Sequence, residues 1–292
     1  MAVVELENKR EIAAFLRRNA RAHVYELGDL DDFDWPHTRW FGWERDGRLE
    51  QIALLYTEPA VPVLLAIAEK PLVAMEDLLR TIRDSLPPVL YVHVTAPLLD
   101  TLAERCTIEG AEPHLKLVLA RTDRLADHAV PVEVLGPADL DDIETFYAAA
   151  YPGTWFAPRM LATDRYVGIR QKERLACVAG VHVHSPTWRV AALGNVATLP
   201  ELRGQGLARG ACAALCLLLL ADGIETIALN VRADNAPAIA AYTHLGFEFA
   251  AGYTEASLEL LPPEERSRRG RNDSVGEVAS DARSGAPAAV RR

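Results

Sequence analysis

Val196-Ala-Thr-Leu-Pro-Glu-Leu-Arg-Gly-Gln-Gly-Leu-Ala-Arg-Gly210 runs from an extended apolar segment through Pro200 into an Arg-Gly-x-Gly turn, then into a long apolar helix. Gly204 and Gly206 carry no Cβ, so the backbone can turn tightly there and approach a ligand closely. The following helix points unpaired N–H groups and the positive end of its dipole at the same turn. Such a construction binds phosphate or pyrophosphate. It is not a P-loop, because no Lys or Ser lies between Gly204 and Gly210. Nor is it the dinucleotide fingerprint, which needs a glycine-type residue where this chain has Arg209.

A second segment follows the helix. Thr226-Ile-Ala-Leu-Asn-Val231 reads as a short strand, and Asp234-Asn-Ala-Pro237 as the start of a further helix that Gly246 stops. On that helix Asn235, Ile239 and Tyr242 share one face. Taken alone, Tyr242 would be an ordinary core aromatic.

Together the two segments resemble the GNAT superfamily of CoA-dependent N-acyltransferases. Glu201 to Ala208 follows that family's R/Q-x-x-G-x-G/A pyrophosphate loop, and Asn235 to Phe247 follows its N-x-x-A-x-x-x-Y-x-x-x-G-F segment. The resemblance implies acetyl-CoA as cosubstrate, held by Val196, Ala197, Thr198, Arg203, Gly204, Gln205, Gly206, Leu207, Ala208, Arg209 and Asn235. It implies direct attack of an amine on the thioester, with Tyr242 protonating the departing thiolate. The expected activity is N-acetyl transfer to a small-molecule or amino-acid-like amine. Two alternatives stand beside it: a non-catalytic CoA-binding regulatory or structural module, and a protein N-acetyltransferase.

The general base is less legible. Many relatives place a Glu on the strand before the loop, but here that strand reads Trp188-Arg-Val-Ala-Ala-Leu-Gly-Asn195. His182 and His184 alternate on the preceding strand and titrate near neutrality, so either is a candidate base or a structural residue. Glu26, an aspartate of the same N-terminal stretch, or a water chain are the other options.

The 292 residues suffice for two domains, and the expected fold class is α/β (α+β), with tandem GNAT-like mixed sheets flanked by helices. The C-terminal half, 131–261, carries the loop and should be the functional domain. It reads β-α-α-β-β-β-α-β-α-β-β, with final strands at 247–250 and 253–260. The N-terminal half, 1–125, reads in a similar order and ends in a strand at 115–119. At the loop position it has Ala68-Glu-Lys-Pro-Leu-Val-Ala-Met75, without glycine and with Glu69 opposed to phosphate. This half should complete the fold without holding CoA. Residues 262–292 lack apolar periodicity and are expected to be a disordered tail.

Tyr25 to Trp43 concentrates Glu26, Asp29, Asp31, Asp32 and Asp34 with Trp35, Trp40 and Trp43. It is either a solvated loop pinned by its rings or part of the acceptor site. The net charge of −10 disfavours nucleic acid, though acidic clefts attract cationic amines. No signal peptide or membrane span is visible, and Cys106, Cys177, Cys212 and Cys216 have no metal-site spacing. The expectation is a cytoplasmic, metal-free protein whose oligomeric state, homodimer included, stays open.

Overall fold

The computed structural model describes residues 1–261, so the tail expected from Pro262 onward lies outside the described residues. The N-terminal half runs β1 (Ala2–Glu5), α1 (Lys9–Leu16), α2 (Val24–Gly28), β2 (Thr38–Arg45), β3 (Arg48–Tyr56), β4 (Val63–Ala66), α3 (Val73–Ile82), β5 (Val89–Val94), α4 (Leu98–Ala103) and β6 (Cys106–Leu119). A short α5 (Leu125–His128) links the halves. The C-terminal half then repeats the order: β7 (Glu133–Leu135), α6 (Leu140–Ala150), a 3-10 segment (Pro158–Thr163), β8 (Tyr166–Gln171), β9 (Arg174–Ser185), β10 (Val190–Thr198), α7 (Leu207–Ala221), β11 (Thr226–Arg232), α8 (Ala236–His244) and β12 (Phe247–Leu260).

All of these strands join one sheet in the order β1-β2-β3-β4-β5-β12-β6-β11-β10-β9-β8-β7. The last strand of each half lies inside the other. β12 enters between β5 and β6, and β6 enters between β12 and β11, so the halves exchange strands. The exchange corrects two strand expectations. β6 starts at Cys106 rather than Leu115, and β12 is one strand rather than two. A bulge between Phe249 and Ala251 carries β12 across 251–252, the gap between the two expected strands, and a second bulge lies between Glu255 and Ser257. The two strands pair antiparallel from Leu119↔Phe247 to Cys106↔Leu260, which shields polar stretches that look like loop in isolation.

Local signals explain the helices that cover this sheet. Asn8 caps α1 by accepting from the Arg10 N–H at 3.0 Å. Met75, Leu78, Leu79 and Ile82 give α3 one apolar face, which buries against Leu55, Leu64 and Val92. α7 buries Ala211, Cys212, Leu215, Cys216 and Leu219 against Cys177, Ala179, Ala191 and Leu229. On the opposite face, Phe146 and Tyr147 of α6 meet Tyr166 and Val178.

The seam core matters most for function. Ile12, Leu16, Val24 and Leu27 of the N-terminal half pack on Val118, Val183, Val190, Ala192 and Ala228. Gly28 permits this approach, because a Cβ there would collide with Val183. Helix α2 therefore lies on the sheet of the C-terminal half. Truncating the fully buried Leu27 to Ala should cost about 2–5 kcal/mol.

Candidate active site

β10 and β11 pair in parallel from Val190↔Thr226 to Leu193↔Leu229 and then part. Beyond that point β10 stays on β9 up to Thr198, and β11 stays on β6 up to Arg232. The parting begins at a bulge between Gly194 and Ala197, where Asn195 adopts φ +53°. Asn tolerates this left-handed conformation better than most side chains. Besides a 3.6 Å contact from Nδ2 to Met160 Sδ, four contacts hold it. Its Oδ1 accepts from Thr154 Oγ1 (2.8 Å) and His182 Nε2 (3.0 Å), and its Nδ2 donates to Tyr166 Oη (2.8 Å). The Tyr147 hydroxyl donates to its carbonyl at 2.7 Å. Sequence reasoning passed over Asn195; the only signal was a Gly-Asn pair inside a strand.

His182 thus has a definite task. Because Asn195 Oδ1 can only accept, His182 Nε2 carries the proton, and burial lowers the ring's pKa. The ring fills the space over Gly194. His184 stands opposite Ala191, before the strands part, with Nε2 3.8 Å from Asp222. Both histidines line a pocket of about 180 Å³ with Phe33, Asp34 and Arg159. The acidic stretch therefore reaches the C-terminal half. Arg159 extends that link, pairing with Asp34 (3.4 Å), Glu58 (2.9 Å) and the Tyr56 hydroxyl of the N-terminal half.

β10 leads into the glycine turn. Gly204 has φ +78° and Gly206 φ +80°, a region glycine enters without steric cost. The first α7 bond runs from the Gly210 N–H to the Gly206 carbonyl, leaving the N–H groups of Leu207, Ala208 and Arg209 without helical acceptors. A Cβ on Gly204 would meet nothing within 4 Å. Arg203 braces the turn by donating to the carbonyls of Thr198 (3.2 Å) and Ala150 (3.0 Å). The Arg209 guanidinium lies over Gly206, 3.5 Å from where a Cβ would stand, and pairs with no described residue. Free N–H groups, open space and an unpaired cation together fit a pyrophosphate. Gln205 lies between the glycines, and Thr198 Oγ1 donates to Cys177 Sγ at 3.4 Å.

Asn235 caps α8, its Oδ1 accepting from the Ala238 N–H at 3.2 Å. Tyr242 packs edge-on to Phe247, with ring centroids 5.9 Å apart. Burial pushes its pKa well above the ordinary phenol value, and Cys212 adds to the shift. The raised pKa keeps the phenol protonated at neutral pH, and with no hydrogen-bond partner among the described residues it is free to donate.

A polar seam that sequence reasoning did not assemble underlies the parted strands. Tyr25 of α2 lays its ring 4.8 Å from Lys116 Nζ. Glu26 pairs with His23 Nδ1 at 3.0 Å and stands 3.8 Å from Lys116 Nζ. Burial pushes the Glu26 carboxyl up, but Lys116 and His23 outweigh it and hold it at about 2. Among the described residues, Asn230 Oδ1 and Glu26 Oε2 are buried without hydrogen-bond partners, so acceptors face this interior unsatisfied.

Residues 139–247 match the family model described as Acetyltransferase (GNAT) family. Those residues form a GNAT domain. Solved structures of similar fold include an acetyltransferase from the GNAT family of Colwellia psychrerythraea (TM-score 0.52, 16% identity, covering 89% of this chain and 100% of that one). A GCN5-related N-acetyltransferase from Sphaerobacter thermophilus is another (TM-score 0.57, 12% identity, covering 89% and 96%). A tandem GNAT protein from the clavulanic acid biosynthesis pathway is a third (TM-score 0.52, 19% identity, covering 89% and 99%). At these identities the likeness is one of fold. No curated protein sequence matches the chain.

The counterpart of the GNAT domain's parted strands lies between β4 and β5. Those strands pair through Ala66↔Val94. Thr95 Oγ1 then accepts from the Ala68 N–H (2.9 Å) and donates to the Ala68 carbonyl (3.1 Å). Glu69 accepts from Asn19 beside this stitch. Among the described residues, no group of His, Cys, Asp or Glu is arranged to hold a metal ion, and no helix is long and apolar enough to cross a membrane.

Proposed function

We propose that the protein is an N-acetyltransferase that moves an acetyl group from acetyl-CoA to the amine of a small acceptor. The observation that carries this is the continuity of the parted β10 edge with the Gly204–Arg209 turn. A run of backbone donors ends in a cradle with an unpaired cation. Acetyl-CoA supplies the acyl group as a thioester. The N–H groups near Val196 and Thr198 would pair with its pantetheine arm and polarise the carbonyl. Gly204, Gly206 and the N–H groups of Leu207, Ala208 and Arg209 would take the pyrophosphate, with the Arg209 side chain closing over it. Tyr242 serves as the acid, since burial keeps it protonated. Asn235 acts through its cap by fixing α8, and His182 acts through Asn195 by fixing the bulge.

The two halves, 1–125 and 131–261, divide the labour. The C-terminal half holds the donor, and the N-terminal half lays α2 over the sheet face where the acceptor must arrive. That cover favours small acceptors over peptides. The reading is tested by incubating the full-length protein with acetyl-CoA and a panel of primary amines and measuring free thiol. Amine-dependent release is expected. Tight CoA binding without release on any amine would leave a CoA-binding module instead.

A further inference from the structure

Glu255 lies on β12, the strand donated across the seam, at the middle of the sheet. The Tyr91 hydroxyl donates to its Oε2 at 2.7 Å, and the Tyr253 hydroxyl to its Oε1 at 2.7 Å. His93 Nε2 stands 3.5 Å from Oε1, and His114 Nε2 3.6 Å from Oε2. Trp155, about half exposed, packs on Tyr91 with centroids 5.4 Å apart. We propose that this cluster is the docking site for the acceptor's ammonium group, and that the acceptor is a cationic amine bearing an aromatic or bulky apolar substituent. The inference rests on the acetyltransferase reading and names the substrate class of that site.

The hydrogen-bond inventory points to a missing donor. His114 Nδ1 lies 3.1 Å from the Glu112 carbonyl, which can only accept, so Nδ1 carries a proton and is committed to that bond. Its Nε2 faces a carboxylate oxygen across 3.6 Å, beyond ordinary hydrogen-bond reach. His93 Nε2, at 3.5 Å, is no closer, so neither ring makes a short hydrogen bond to the carboxylate. No lysine or arginine pairs with Glu255 among the described residues, although its side chain is only 14% exposed. A carboxylate so enclosed is costly without a cation. The two histidines and two tyrosines keep it below the ordinary carboxylate range although burial pushes the other way.

An ammonium group satisfies each of these conditions. It carries three donors and a charge. The faces of Tyr91 and Trp155 favour a cation and an attached apolar group. The position suits the chemistry as well. His114 is cross-strand partner to Tyr253 on one side and to Arg232 of the parted β11 on the other. The site is therefore one strand from the acyl-transfer edge. His114 Nε2, beside the carboxylate, is placed to take the proton that the amine must lose before it attacks.

The test is calorimetric titration of the full-length protein, CoA-saturated, with 2-phenylethylamine as the probe. Wild type should bind it saturably and bind ethylamine more weakly. Glu255→Gln should lose at least tenfold in phenylethylamine affinity. Trp155→Ala, a change at an exposed side chain that leaves the core intact, should lose several-fold for phenylethylamine and nothing for ethylamine. CoA affinity should be equal in all three proteins. Phenylethylamine failing to bind wild type while CoA binds would overturn the docking site alone. So would unchanged affinity in both variants. Failure of wild type to bind CoA would instead sink the acetyltransferase reading beneath it.

Discussion

In the C-terminal half, β10 leaves β11 after Leu193, and the freed edge runs on to the Gly204–Arg209 turn. In the N-terminal half, β4 reaches Ala66 beside Val94, and the Thr95 hydroxyl closes the gap by bonding both backbone groups of Ala68. The strand order around the two gaps is the same, so the fold alone does not decide which one takes a ligand. The difference is whether backbone donors remain unpaired. Asn195 holds one gap open through four side-chain contacts, whereas one threonine satisfies the other. The charge beside each gap agrees: Arg209, unpaired among the described residues, in one half, and Glu69 in the other.

The sharpest way to break this comparison is Gly206→Glu. The side chain would occupy the pyrophosphate cradle with like charge at a φ of +80°. CoA binding should vanish in calorimetry while the circular dichroism spectrum holds. Wild type should titrate with one CoA per chain. A stoichiometry near two, or CoA retained by the variant through the N-terminal half, would erase the distinction between the gaps.

Tyr242→Phe comes next. Turnover should fall by about 10- to 1000-fold, the usual size of an acid–base contribution, with CoA affinity unchanged. An unaltered turnover number would reduce Tyr242 to a packing residue. Thr95→Val then probes the closed gap. Loss of its two hydrogen bonds should lower stability by about 1–3 kcal/mol in urea unfolding. The variant should still bind a single CoA, since Glu69 and the absent glycines remain. A second bound CoA would show that Thr95 alone silences this half.

The smallest expected effect concerns Glu26, which the N-terminal half sends beneath the open gap. Its folded pKa of about 2 lies below its ordinary 4.5, so its charge stabilises the fold fully above about 4.5. That contribution is lost as pH falls from about 4.5 towards 2. The stability gap between wild type and Glu26→Gln should therefore shrink across that window. A gap independent of pH would mean that the Lys116–Glu26–His23 contacts are energetically silent.

The sequence by itself determined the elements whose signals are local. The glycine turn, the Asn235 cap, the stop at Gly246, the buried face of α7 and the missing loop at Glu69 all depend on residues within a few positions of one another. Those signals also brought out the repeated order of the two halves. Tertiary structure alone decided the strand exchange, because β6 and β12 pair residues more than a hundred positions apart and look like broken loop segments when read singly. It also decided the roles of the polar residues. Asn195 and His182 form a brace only once β9, β10 and α6 are packed. Glu255, His93 and His114 come from three strands and converge only after the exchange. Spacing along the chain carries no trace of such a convergence, because register between distant strands is set by the burial of their shared face.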